Sequence, residues 1–356
     1  MKASLDAQLL QGLNRGSPAL VDLPGTGEKA RIFWVTLEGP IGAGKTELCK
    51  VSMSERGIYR WLTVPLSLPS PGEVLTPRLV DHFGTDRVFY VAEPIDELMQ
   101  SGLFQDYQRD PKRWAFEFQT TFFNKRTDYF REAYDHMLSK LATTTVKQDD
   151  ENGCKTAILF SERSIVSDTC FMRVQYECGH CTEDTLHRYL DLNAKWRELY
   201  RGVVPGLVVY CRAGTNPEGI IDLCQKRIRE RKREAEEDLV TPEYNGLVLK
   251  EHDELFMPVH KGGCLVPGFY GKNLLSIPVV VVDTTENYRD DERVALKKSG
   301  ELLERICESM GPVPLLGLPM APIGGAGPIP ANEPFAYWEK DTGKYLGPVL
   351  VVDEEK

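Results

Sequence analysis

One eight-residue stretch constrains this chain more than any other feature. Gly39-Pro40-Ile41-Gly42-Ala43-Gly44-Lys45-Thr46 fits the phosphate-binding loop pattern without a mismatch. Gly39, Gly42 and Gly44 let backbone N–H groups turn inward around a phosphate, and the helix that the loop opens adds its dipole. Such a loop works only between a strand and a helix, and the apolar, β-branched run at residues 32–37 supplies the strand. Lys45 is expected to reach the β- and γ-phosphates of a nucleoside triphosphate, and the Thr46 hydroxyl to hold Mg²⁺. The loop specifies ATP or GTP but not what is done with it.

Four further apolar runs follow, at residues 88–91, 157–160, 207–211 and 279–282, each succeeded by a helix-length segment. Continuous apolar runs alternating with helices indicate a parallel sheet covered on both faces. The expected fold is therefore α/β, a doubly wound five-stranded parallel sheet. Ligands of such sheets bind beyond the carboxyl ends of the strands. There the sequence places the glycine loop, Glu93, the pair Glu162-Arg163, and Asp283.

Two long helices are predicted over 111–141, where Asp110 and Pro111 make a good start signal, and over 183–200. A highly charged helix is predicted over 222–237 and an amphipathic one over 290–310. Residues 1–30 read as a flexible extension before a central domain over 31–288. The C-terminal part, 289–356, holds the last helix, a Gly/Pro-rich linker at 311–330 and a possible hairpin at 335–352.

The chain carries 53 acidic and 43 basic side chains, a formal net charge of −10. That balance speaks against a surface that coats nucleic acid. No apolar run is long enough for a membrane-spanning helix, and no secretory signal opens the chain, so a cytoplasmic setting is expected. Nine scattered cysteines do not read as a disulfide framework. Cys178-Gly179-His180-Cys181 could in principle serve redox or zinc chemistry, but no second Cys/His pair lies near it, so bystander thiols are the better reading.

Four more blocks stand in a telling order: Glu93-Pro94-Ile95, Arg113-Trp114-Ala115-Phe116-Glu117-Phe118-Gln119, Glu162-Arg163-Ser164, and an arginine-rich segment over 227–237. Together with the phosphate loop they resemble the deoxyribonucleoside kinases, in particular the deoxycytidine/deoxyguanosine kinase-like branch, over about residues 31 to 285. The resemblance implies a P-loop kinase with a helical lid, using ATP with Mg²⁺ as cofactor, and a homodimer built through two long helices.

It also implies roles. Transfer to a sugar hydroxyl needs a carboxylate to accept its proton, and Glu93 matches the family's general base. Glu162 matches a residue that orders Mg²⁺ together with Thr46, and Arg163 one that bridges the acceptor oxygen and the phosphates. Arg227, Arg231 and Arg233 match the lid arginines that close over the donor phosphates, with Asp283 also on the donor side. Glu237 and Tyr107 match residues that hold the sugar 3′-hydroxyl, although each is offset by one residue from the usual spacing. Ile41 and Phe118 are carried as acceptor-pocket residues.

The base is read from Gln119, Arg126 and Asp168. Gln119 offers a donor and an acceptor, and Arg126 lies two turns further along the same helix face. In relatives favouring deoxycytidine and deoxypurines an Arg–Asp pair occupies the positions of Arg126 and Asp168. Such a carboxylate accepts from an exocyclic amino group, which thymine lacks. Phe122 and Thr169 depart from the usual residues at their positions.

The expected partners are ATP and a small-molecule deoxynucleoside, with no nucleic acid and no membrane. The rival enzyme is a thymidylate-type monophosphate kinase, which would need a cation where Glu93 stands. A nucleotide-binding module without turnover is the rival from another class. Because every block lies between residues 31 and 285, a chain cut to 25–310 is expected to keep its activity.

Overall fold

The computed structural model describes residues 19–49, 86–144, 154–165, 167–199, 205–231, 236–257, 264–267, 274–286 and 292–310. In chain order the first elements are β1 (Ala19–Asp22), β2 (Lys29–Glu38), α1 (Lys45–Cys49), β3 (Val88–Val91), α2 (Ile95–Gln100), α3 (Leu103–Arg109) and α4 (Pro111–Thr143). There follow β4 (Lys155–Glu162), α5 (Asp168–Glu177), α6 (Glu183–Leu199), β5 (Pro205–Arg212), α7 (Pro217–Arg231) and α8 (Glu236–Leu239). The last are α9 (Pro242–Phe256), β6 (Cys264–Pro267), β7 (Leu274–Ile277), β8 (Val279–Asp283) and α10 (Glu292–Met310).

Strand β2 sits in the middle of the sheet and is apolar on both sides. Phe33, Val35 and Leu37 pack with Leu48 of α1 and with Leu302 and Ile306 of α10. Ile32 and Trp34 join the opposite layer, against Phe130, Ala133, Met137 and Leu141 of α4. Alternate residues of a strand face opposite ways, so a two-sided core demands the continuous apolar run seen in the sequence. Strands β3, β4, β2, β5 and β8 pair in that order, all parallel, which is the five-stranded sheet expected.

Helix α4 is 33 residues long and starts as its sequence suggests: Pro111 occupies the first turn, and the Asp110 side chain accepts from the Arg113 amide at 3.2 Å. The charged helix expected over 222–237 is described on either side of residues 232–235, which lie outside the described residues. Helix α7 starts earlier than expected, at Pro217, and is described as far as Arg231, and the short α8 spans Glu236–Leu239.

Two strand pairings were not legible. Strand β1 pairs antiparallel with Lys29–Ile32, adding a sixth strand where a flexible extension was expected. The reason is local: β5 pairs with β2 only from Trp34 onward, which leaves the start of β2 open on that edge. The connecting turn closes through the Leu23 amide, which donates to Glu28 O at 2.8 Å, and Val21 and Leu23 are buried in the α4-side layer. Strands β6 and β7 form a separate antiparallel pair. The segments expected as a Gly/Pro-rich linker and a C-terminal hairpin lie outside the described residues. No helix among those described is long and apolar enough to cross a membrane.

Candidate active site

The phosphate loop joins β2 to α1 and is pressed against backbone on two sides. Gly39 has φ 141° and Gly42 φ 85°; a Cβ on Gly39 would strike the Cys211 carbonyl oxygen of β5, and one on Gly42 would lie 2.6 Å from the Cys224 carbonyl oxygen of α7. No other residue type fits either position. Gly44 is also left-handed, with φ 87°. Asn245 of α9 grips the loop's centre: its Nδ2 donates to Ile41 O at 2.9 Å and its Oδ1 accepts from the Ile41 amide at 3.2 Å. Lys45 curls over the loop, Nζ donating to Gly39 O (3.0 Å) and Pro40 O (2.9 Å). Burial, followed by the nearby Arg163 charge, pushes its ammonium down to about 8.

Thr46 and Glu162 meet across 116 residues of sequence, the hydroxyl donating to Glu162 Oε2 at 3.0 Å. The other carboxylate oxygen accepts from the Tyr90 hydroxyl of β3. Burial raises the Glu162 carboxyl above its ordinary range, and the neighbouring Glu93 charge adds to this. A hydroxyl and a carboxylate this close, at the mouth of a phosphate loop, are hard oxygen donors of the kind Mg²⁺ takes.

Glu93, at the end of β3, is the hub of the acceptor side. Its Oε1 accepts from Arg163 Nε and from Arg126 Nη2, each at 3.0 Å. Arg126 also pairs with Asp168, both side chains being 5% exposed. Arg126 Nε and Asp168 Oδ2 have no hydrogen-bond partner among the described residues. Phe122 lies under the Arg126 guanidinium, 5.3 Å from ring centroid to Cζ, so its bulk serves as a platform for the arginine.

Arg163 is the only non-glycine with a left-handed backbone among the described residues, at φ 64°. Its amide donates to Leu37 O at 2.8 Å, and its carbonyl accepts from Ser161 Oγ at 3.0 Å. The next residue, Ser164, donates to Glu38 Oε1 at 2.6 Å. Glu38 is fully buried, and burial raises its carboxyl against the opposing pull of Ser164. Such an outlier, costing on the order of 1–3 kcal/mol, persists only where its surroundings over-determine it.

Tyr107 stacks on Phe118 with ring centroids 4.5 Å apart and planes at 11°. Its hydroxyl donates to Gln175 Oε1 at 2.7 Å, and Gln175 Nε2 donates to the Tyr244 hydroxyl at 3.1 Å. His180 Nδ1 donates to the same Gln175 oxygen at 2.8 Å. Gln119 is buried on α4 like Arg126. On the donor side, Arg227 Nη2 donates to Thr284 O at 2.6 Å and Arg231 pairs with Glu236 at 3.5 Å. Asp283 Oδ1 accepts from the Thr285 amide at 2.9 Å. Arg233 lies outside the described residues, as does the Glu237 side chain. Sequence reasoning passed over Asn245, Tyr90, Glu38, Gln175 and His252. None carries a motif signal, and only contact with a partner distant in sequence reveals them.

The sequence model of the deoxynucleoside kinase family matches residues 35–307. A probable deoxycytidine kinase of fowlpox virus is 27% identical over 165 residues, 46% of this chain and 59% of its own length. The match thus spans less than two thirds of that relative. Deoxycytidine kinase 2 of Gallus gallus is 23% identical over 266 residues, 74% of this chain and 86% of its own. Among solved structures, a deoxyadenosine kinase from M. mycoides with bound dCTP is 17% identical, with a TM-score of 0.46 over 78% of this chain and 100% of that one. The same enzyme with dCMP and dCDP gives 19% identity and a TM-score of 0.45, with the same coverage.

Proposed function

The chain belongs to the deoxynucleoside kinase family, and from that premise we propose that it transfers the γ-phosphoryl group of ATP to the 5′-hydroxyl of a deoxyribonucleoside, preferring deoxycytidine or a deoxypurine to thymidine. The observation that carries this reading is the position of Glu93 between the Arg126–Asp168 pair and Arg163, whose Nη1 donates to Gly39 O of the phosphate loop at 2.8 Å. A carboxylate there can take the 5′-hydroxyl proton as the oxygen attacks phosphorus. Arg163 and Lys45 offset the charge spread over the moving phosphoryl oxygens.

Thr46 and Glu162 would hold Mg²⁺, which neutralises donor-phosphate charge when bound. Tyr107, with its hydroxyl donated to Gln175, keeps lone pairs for a sugar hydroxyl. Arg227, Arg231, Arg233 and Glu237 are proposed for the lid. Asp168 Oδ2, buried and without a hydrogen-bond partner among the described residues, suits the amino group of cytosine or a purine and would face the O4 carbonyl of thymine. The similar fowlpox and chicken proteins are deoxycytidine kinases by name, which supports a cytosine preference. A homodimer through α4 and α6 and a cytosolic setting complete the proposal.

A turnover screen of the purified protein with ATP·Mg²⁺ against the four deoxynucleosides and dTMP tests it. Phosphorylation of deoxycytidine or a deoxypurine above thymidine is expected. Turnover of dTMP alone would establish the monophosphate-kinase rival instead.

A further inference from the structure

The guanidinium of Arg163 does not hang free at the end of β4; it is boxed in, and one wall of the box is a buried histidine far away in sequence. His252, on α9, is fully buried. Its Nε2 lies 3.2 Å from Arg163 Nη1, and its Nδ1 lies 2.8 Å from Val248 O. A carbonyl can only accept and a guanidinium can only donate, so the two partners leave one arrangement: Nδ1 carries the proton and Nε2 is a bare acceptor. Burial, and after it the Arg163 charge, hold the imidazole well below its ordinary range, which keeps that acceptor lone pair in place. The same guanidinium lies over the Phe171 ring, Cζ 4.6 Å from the ring centroid, and Phe171 meets His252 edge-on at 5.5 Å.

We propose that His252 is the positioning residue of Arg163: as a neutral Nδ1–H tautomer it fixes, in the plane of the guanidinium, the direction in which Arg163 presents its remaining N–H groups to the reacting phosphoryl group. The inference rests on the kinase reading above. Geometry favours it over a plain packing role. A histidine kept only to fill space would not need an unprotonated nitrogen aimed at a cation, and an apolar residue would fill the same volume without a desolvated ring nitrogen. Arg163 otherwise has Glu93 on Nε and Gly39 O on Nη1, both belonging to segments that a bound substrate or nucleotide would contact. His252 and Phe171 are the partners that stay when the site fills.

The test is a kinetic series with a spectroscopic arm. His252→Leu removes the acceptor and should lower kcat by roughly 10-fold or more while leaving KM for ATP and for the deoxynucleoside within about twofold, the pattern of a misaimed rather than unbound group. His252→Gln, whose side-chain oxygen reaches near the same point, should recover most of that loss. In an Arg163→Lys background the His252→Leu change should add little, because its route of action is gone. A folded His252→Leu protein with wild-type kcat overturns the proposal, as does a full additional loss in the Arg163→Lys background. Ring ¹⁵N spectra of the wild-type protein decide independently of turnover. They should show His252 as the Nδ1–H tautomer, with signals that move on Arg163→Met. An Nε2–H tautomer overturns the inference even if no variant can be purified. Absence of wild-type turnover with every deoxynucleoside, alongside the Nδ1–H spectrum, faults the kinase reading instead.

Discussion

Glu93 Oε1 accepts the Nε–H of Arg163 at 3.0 Å, so the proposed base and the proposed phosphoryl-binding cation are joined directly. The contact aligns the carboxylate along the line from the acceptor side to the phosphate loop. It also means that the two groups cannot be moved independently, and mutations at either should show coupling.

Glu93→Gln keeps an oxygen for Arg163 and Arg126 to donate to but cannot accept the 5′-hydroxyl proton. Its kcat should fall by about 10²-fold or more with ATP affinity nearly unchanged. Single-turnover assays beside nucleotide titration check this, and near-normal turnover removes Glu93 from its proposed role.

The base preference follows from the buried pair of Arg126 and Asp168. Asp168→Ala alone removes one of the two carboxylates that Arg126 pairs with, leaves the buried guanidinium leaning on Glu93, and should damage activity toward every nucleoside. Arg126→Met with Asp168→Ala removes both charges and should shift kcat/KM toward thymidine. If the wild-type protein already prefers thymidine, the pair is scaffold.

Lys45 gives the pH dependence a definite direction. Its ammonium is held down at about 8 because burial and Arg163 disfavour the charge. The cation that attracts the donor phosphates is therefore present below that pH and lost above it. Since kcat/KM reports the free enzyme, kcat/KM for ATP should decline above pH 8 and approach a tenfold loss per further unit. A profile flat to pH 10 would contradict this.

The strand at the start of the described chain changes where it can be shortened. A chain beginning at residue 25 loses Val21 and Leu23, which are 3% and 2% exposed. Each such burial is worth up to about 1.5–3 kcal/mol. Thermal melts of residues 17–310 and 25–310 should differ by several degrees, the longer form being the more stable. Identical melting temperatures would make β1 ornamental to stability.

The Tyr107–Gln175 contact allows a binding test. Tyr107→Phe keeps the stack on Phe118 but removes the hydroxyl, and should raise KM for the nucleoside by roughly 2- to 10-fold, the worth of one neutral hydrogen bond. Gln175→Leu should act in the same direction by releasing the Tyr107 hydroxyl. An unchanged KM in both would separate Tyr107 from the sugar.

The parts of this protein that are local in the chain were determined by sequence alone. The glycines of residues 39–44, the two-sided apolar runs and the polar residue just after each run all follow from rules acting within a few residues. They were enough to place the sheet, the phosphate loop, Glu93 and Glu162-Arg163 at one edge. Tertiary structure decided what holds those groups still. Asn245 reaches Ile41 across 204 positions and His252 reaches Arg163 across 89. On α9 these two residues are polar positions in a helix, and a helical periodicity distinguishes buried from exposed but names no partner. Strand β1 escaped for the related reason that four residues carry too little pattern to compete with a disordered reading. Its partner edge exists only because β5 begins its pairing late. A buried polar side chain is worth having only when its partner is in place, and that partner is set by packing of the whole sheet and its helices rather than by any window of the chain.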